Sequence, residues 1–224
     1  MNKAVIFDMD GVLADTEPAY IEVNRKFLTS SGIDFSNLDY SEFIGMAAPR
    51  MWSRLKEMFL LPQSLEWLIA NEKNNFFSYI QQLSFLAPIP GIPETLRQLR
   101  SEQIKIGLAS SSFRKNIDQI LKKTELNSFF EKITSGEEVE NGKPAPDIFL
   151  LAAQKLNIQP NFCLVIEDSN NGVQAAVKAG MTCVGFRNPT SENQDLSVAK
   201  LLIDDFSQNS IEAIFELLRE IGNN

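Results

Sequence analysis

Six short apolar runs, each too brief for a buried helix, recur along this chain and limit what it can become. They are 3–8 (KAVIFD), 104–110 (IKIGLAS), 132–134, 162–167 (FCLVIE), 181–186 (MTCVGF) and 200–203 (KLLI). They do not alternate apolar with polar, so each suits a strand covered on both faces, as in a parallel sheet. Helical spacing fills the gaps between them. Leu96 and Leu99 share one face, as do Ile117, Ile120 and Leu121, then Ile148, Leu151 and Ala152, then Val173, Ala176 and Val177, then Ile211, Ile214, Phe215 and Leu218. Gly180 stands where the fourth of these helices should end. Strand and helix in alternation predict an α/β fold with a doubly wound, mostly parallel sheet.

One interval departs from this rhythm. Between Asp15 and about Ala87 there is no strand pattern, but helical spacing appears three times: Tyr20, Val23, Phe27; Met51, Leu55, Met58; and Leu65, Leu68, Phe76, Ile80. A crossover helix needs far less chain, since a whole βαβ unit takes roughly 30 residues. The expected organisation is therefore a core of residues 1–14 and 88–224 with a helical cap, 15–87, inserted after the first strand. Its connections would be Leu13–Thr16 and the stiff PIPGIP at 88–93, and such a cap can close as a lid. Phe27, Phe59, Phe76 and Phe77 are expected in the cap core or its interface.

Composition removes several chemistries. The 224 residues contain no histidine, two cysteines and a net charge of −8. Without histidine there is no Ser-His-Asp triad, no phosphohistidine and no histidine-bound zinc. Cys163 and Cys183 lie inside apolar runs and read as reduced core residues. No sustained basic stretch offers a footprint for nucleic acid. No run approaches the roughly 20 apolar residues of a membrane span, and no secretory leader is evident. The expectation is a cytoplasmic monomer acting on a small molecule. GEEVENGKP nearly matches a phosphate-binding P-loop, but it is one residue too long and has Pro144 where Ser or Thr belongs.

In open α/β sheets, ligands bind beyond the carboxyl ends of the strands. Here the first strand runs into Asp8 and Asp10, the second into Ser110, Ser111 and Ser112, and the fourth into Glu167 and Asp168, while Lys143 precedes a helix. Parallel strands bring all of these to one edge. By the two-residue period of a strand, Asp8 and Asp10 point to the same spot, where Asp168 joins them. Such a cluster needs a cation, and an all-oxygen donor set favours Mg²⁺. With Lys143 and Ser110 near it, the cluster can meet a phosphate and let a carboxylate attack it.

The same residues carry a family resemblance. DMDGVLADTEP resembles the first motif of the haloacid dehalogenase-like superfamily, GLAS ending at Ser110 its second, GKPAPD with Lys143 its third, and VIEDSNNG its fourth. The match spans most of the chain in the same order, and the subfamily it resembles most holds β-phosphoglucomutase and related small phosphatases. The resemblance implies a four-helix cap and these roles. Asp8 is the nucleophile and a metal ligand. Asp10 is the general acid and base and binds the metal through its carbonyl. Ser110 and Lys143 hold phosphoryl oxygens, Asp168 ligates the metal, and Glu167 is a ligand or a partner of one. Gly11, Thr16, Tyr20, Arg50, Lys73, Ser111 and Ser112 are candidates for contact with the substrate.

Three readings follow: a Mg²⁺-dependent phosphatase of a small phosphorylated metabolite (a sugar phosphate or a phosphoglycolate-like compound), a hexose-phosphate mutase, and a non-catalytic binder of a phosphorylated ligand. The mutase has a histidine in its first cap helix where this chain has Tyr20, which favours hydrolysis. A dehalogenase would lack the second aspartate.

Overall fold

The computed structural model describes residues 3–35, 38–191 and 194–222. Six strands form one sheet in the order β3-β2-β1-β4-β5-β6. They are β1 (Ala4–Phe7), β2 (Lys105–Ser110), β3 (Lys132–Ser135), β4 (Cys163–Glu167), β5 (Thr182–Phe186) and β6 (Leu201–Ile203). All five pairings are parallel. The central strand shows why its run is apolar throughout. Val5 and Phe7 enter one hydrophobic cluster while Ala4 and Ile6 enter another on the opposite face.

The chain leaves β1 into three helices, α1 (Glu17–Ser30), α2 (Ala48–Phe59) and α3 (Leu65–Gln82), before returning to the sheet. Thereafter α4 (Ile92–Ser101), α5 (Arg114–Lys123), α6 (Asp147–Leu156) and α7 (Asn170–Lys178) alternate with the strands up to β5, and α8 (Gln208–Glu220) follows β6. Leu96 of α4, Ile117 of α5 and Ile214 of α8 pack on the Val5 and Phe7 face. Phe149 of α6 and Val173 of α7 pack on the other. Strands are added outward from β1 on one side and then, from β4, on the other, so the crevice of this topology opens beyond β1 and β4.

The inserted helices have a core of their own, built from Leu28, Phe43, Met51, Trp52, Leu55 and Leu68. Phe76 and Ile80 of α3 instead join the core that lies against the sheet. The two connections run side by side: Ile89 N donates to Leu13 O at 2.9 Å, and Ala14 bridges Pro88. Where four helices were expected, the described residues of the insertion form three α-helices and a 3₁₀ turn, Tyr40–Phe43. Two expected apolar positions face solvent: Met58 is 48% exposed and Val177 46%. Both lie beside a buried face, where period-counting cannot separate the edge of a stripe from its centre. Cys163 and Cys183 are free and buried. No helix among the described residues is long and apolar enough to cross a membrane.

Candidate active site

The strand period does not carry past β1. Asp8 N still donates to Ile166 O at 3.0 Å, but the chain then folds into a tight loop in which Val12, Leu13 and Ala14 all donate to Met9 O. Gly11 has φ +79°, and a Cβ there would lie 2.0 Å from Asp168 Oδ2. Both the backbone and the space therefore demand glycine. The two aspartates, expected at one spot, are divided by this loop into different surroundings.

Asp8 belongs to a buried cluster with Glu167 and Asp168, from which carboxylate oxygens lie within 4.8 Å of one another. Lys143 Nζ donates to Asp8 Oδ1 at 2.5 Å, to Glu167 Oε1 at 2.6 Å and to Ala109 O at 3.3 Å. Ser169 donates to Glu167 Oε2 through N and Oγ, both at 2.9 Å, and Ser191 Oγ donates to Asp168 Oδ2 at 2.5 Å. Burial lowers the proton affinity of Lys143, but Asp8 and Glu167 more than offset this and hold it above the ordinary lysine range. Burial pushes Asp8 well up against the opposing pull of Lys143. Asp168 rises through burial and the neighbouring Glu167.

Three carboxylates face one ammonium here, and all the free donors are oxygen. The set suits a hard divalent cation, which would supply the positive charge that Lys143 alone does not.

Asp10 sits in a nest of hydroxyls. Thr16 Oγ1 donates to its Oδ1 at 2.5 Å, while Ser112 Oγ and Ser110 Oγ donate to Oδ2 at 2.7 and 3.1 Å. Burial raises its pKa, and these three donors oppose the rise. Ser112 spends its hydroxyl proton on Asp10, so Tyr20 donates to Ser112 Oγ across 2.8 Å. The first helix of the insertion thus touches Asp10 through one serine. Tyr20 is itself stacked on Phe76, with ring centroids 3.6 Å apart.

Above Asp8 and Asp10 lies a cavity of about 50 Å³, lined on one side by Ser111 and Ser112 and on the other by Tyr20, Met46, Ala48 and Met51. Small-molecule pockets run to roughly 300–1,000 Å³, so the insertion is drawn down on the sheet. The contact is close: a Cβ on Gly45 would lie 2.2 Å from Ser169 Oγ. Ser111 Oγ donates to Gly45 O at 3.2 Å, and Asn171 Nδ2 donates to Ile44 O at 3.2 Å.

Asp8, Asp10, Gly11, Thr16, Tyr20, Ser110, Ser111, Ser112, Lys143, Glu167 and Asp168 gather at this edge. Arg50 and Lys73 do not line the cavity. Arg50 is exposed on the first turn of α2. Lys73 Nζ pairs with Glu137 Oε1 at 2.7 Å and lies 4.5 Å from the centroid of the Phe113 ring.

Two buried acids of the insertion, Glu17 and Glu72, also line the cavity, and the motifs did not point to them. Glu17, the first residue of α1, reads in sequence as an ordinary complement to a helix N-terminus. Glu72 stands in the polar stretch NEKNN, yet it is four residues from both Leu68 and Phe76, on their buried face. Its Oε2 accepts from Trp52 Nε1 and its Oε1 from Asn24 Nδ2 at 3.4 Å. Burial raises its pKa to about 7. Asn188 was missed as well; its Nδ2 donates to Gly11 O at 2.9 Å and fixes the loop beside Asp10.

Residues 5–186 match the model of the haloacid dehalogenase-like hydrolases. The chain is 36% identical over 182 residues to the phosphorylated carbohydrates phosphatase of Thermotoga maritima, covering 80% of this chain and 82% of that one. It is 33% identical to the β-phosphoglucomutase of Bacillus subtilis, over 96% of this chain and 94% of the relative. Among solved structures, β-phosphoglucomutase from Clostridium difficile superposes with a TM-score of 0.85 at 30% identity, covering 98% of each chain.

Proposed function

Since the chain belongs to the haloacid dehalogenase-like hydrolases, we propose that it is a Mg²⁺-dependent phosphatase of a small phosphorylated carbohydrate, working through a phosphorylated Asp8. The observation that carries this reading is the division of labour between the two aspartates. Asp8 faces a lysine and the other strand-end acids; Asp10 is cradled by hydroxyls. Two carboxyl groups in such different surroundings suit a nucleophile and a proton carrier.

A carboxylate oxygen of Asp8 attacks phosphorus, and the bond from phosphorus to the sugar oxygen breaks. Asp10 gives its proton to that oxygen. Water then attacks the phosphorylated Asp8, Asp10 takes the water proton, and inorganic phosphate leaves with the Asp8 carboxylate restored. Lys143 and Ser110 hold the phosphoryl oxygens. A Mg²⁺ held by Asp8, Asp168 and the Asp10 carbonyl, with Glu167 as ligand or support, would offset the repulsion between carboxylate and phosphate. Segment 15–87 acts as a lid hinged at 13–16 and 88–93; the adjacent connections and the small cavity beneath the insertion support this. The buried free thiols suit the cytoplasmic setting expected for such an enzyme.

Phosphate release from sugar monophosphates with Mg²⁺, abolished by EDTA, tests the reading. Asp10→Asn is expected to lower kcat by roughly 10²–10⁴-fold where chemistry limits the rate. Full turnover after EDTA treatment would overturn the metal assignment. The second reading, a hexose-phosphate mutase, is favoured by the 33% identity to a β-phosphoglucomutase over nearly the whole chain. Conversion of β-glucose 1-phosphate into glucose 6-phosphate faster than phosphate release would decide for it.

A further inference from the structure

The loop that joins β5 to β6 lies outside all four motifs, yet two of its buried side chains end on the strand-end cluster. We infer that Asn188 and Ser191 are positioning residues that hold two cation ligands from different strands at a fixed spacing: the Asp10 carbonyl after β1 and the Asp168 carboxylate after β4. The inference rests on the Mg²⁺ ligands of the phosphatase reading and names what orients them.

Ser191 Oγ donates to Asp168 Oδ2 at 2.5 Å, and no side chain or backbone N–H donates to Oδ1 among the described residues. A carboxylate gripped through one oxygen keeps the other free and in a set direction. The Asp10 carbonyl is fixed less directly. It shares a peptide plane with Gly11 N, which donates to Ala14 O at 2.9 Å. On the far side of Gly11, Asn188 Nδ2 donates to Gly11 O at 2.9 Å. Glycine is the most freely rotating residue, so clamping both of its polar groups is what keeps the preceding carbonyl still. The two grips also converge. A Cβ on Gly11 would lie 2.0 Å from the same Asp168 oxygen that Ser191 holds.

The loop is stiff enough for this task. Arg187 N donates to Ile203 O at 2.8 Å, which prolongs the pairing of β5 with β6, and Ser191 N donates to Asn188 O at 3.1 Å. Asn188 is engaged at both ends of its amide, because its Oδ1 accepts from Thr190 N at 2.9 Å. Asn188 is 8% exposed and Ser191 5%. Polar side chains of a loop ordinarily stay in water, and burying them is favourable only with partners; here the partners are the cluster itself. Thr190 Oγ1 instead donates to Asp15 Oδ1 at 2.6 Å, on the connection to the insertion, and so serves as a control within the same turn.

Mg²⁺ titrated alone into the protein and followed by calorimetry tests this without turnover. Ser191→Ala and Asn188→Ala, each checked for an intact melting transition, are expected to raise the Mg²⁺ Kd by roughly tenfold or more, as loss of a ligand's hydrogen-bond partner does. Ser191→Thr keeps the hydroxyl and should restore binding, and Thr190→Val should leave the Kd unchanged. With p-nitrophenyl phosphate, the Mg²⁺ concentration that gives half the full rate should rise in parallel in the two alanine variants, so that their deficit shrinks as Mg²⁺ is raised. Wild-type Mg²⁺ affinity in both alanine variants would overturn the inference and leave the phosphatase reading standing. So would an equal loss in Thr190→Val, which would mark a loop loosened as a whole. A wild-type protein that takes up no Mg²⁺ would overturn the metal assignment of the phosphatase reading together with this inference.

Discussion

The strand ends and the helical insertion meet over one cavity but are held by different forces. At the strand ends each acid is held from another element: Lys143 reaches Asp8 after β1 and Glu167 at the end of β4, and Ser191 closes on Asp168. The insertion has its own apolar core, shares Ala19, Phe76 and Ile80 with the core against the sheet, and otherwise meets it through scattered polar links such as Ser111 to Gly45, Asn171 to Ile44 and Lys73 to Glu137. The first arrangement is rigid because separating its members strands buried charge. The polar links of the second part cheaply, because water replaces each as it breaks. In the function proposed above, the first half would fix the phosphoryl group and the second would admit the alcohol.

The comparison breaks most sharply at Asp8. Asp8→Asn is expected to remove roughly 10⁴-fold or more of kcat for every substrate, as loss of a covalent nucleophile does. Rapid-quench detection of a phosphorylated protein checks it, and retained single-turnover phosphorylation in the variant would count against the assignment.

Next in size is the insertion's own core. Trp52 is fully buried there, and Trp52→Ala is expected to cost about 3–5 kcal/mol in urea unfolding. A cost below about 1 kcal/mol would mean that the insertion has no independent packing.

Glu72 sharpens the contrast through pH. Its carboxyl titrates near 4.5 when unfolded and at about 7 when folded. The native state therefore keeps a proton that the unfolded chain releases, so this residue's contribution is full below 4.5 and is lost as pH rises towards 7. The loss is on the order of 3 kcal/mol. Unfolding free energies at pH 5 and pH 8 should differ less in Glu72→Gln than in the wild type; equal differences would refute it.

Smallest is the rim latch. Lys73→Ala removes a pair whose members are 29% and 38% exposed, and should change stability by about 1 kcal/mol or less. If it works as a latch, KM shifts while kcat for p-nitrophenyl phosphate moves little. A drop of several kcal/mol would make Lys73 part of the core instead.

The sheet could be read from the chain because parallel, doubly covered strands advertise themselves as unbroken apolar runs. The predicted run 3–8 contains β1, Ala4–Phe7, and 162–167 contains β4, Cys163–Glu167. Asp8, Lys143, Glu167 and Asp168 were legible because each follows a strand or precedes a helix at the same edge. The separation of Asp10 from Asp8 was not, since it depends on a loop whose turns involve Met9 O and on hydroxyls as distant in sequence as Ser112. Glu72 was hidden by its charged neighbours, though its spacing from Leu68 and Phe76 held the signal.

β1 lies in the middle of the sheet, yet it is the first strand in the chain. One neighbour, β2, begins at Lys105, and the other, β4, only at Cys163. A growing chain therefore carries a wholly apolar strand unpaired until Lys105–Ser110 has been made. Asp8 meets Glu167 and Asp168 only when most of the polypeptide has been made, so a chain cut short before β4 would bare the edge of β1 that β4 covers, and such edges are where nascent chains aggregate.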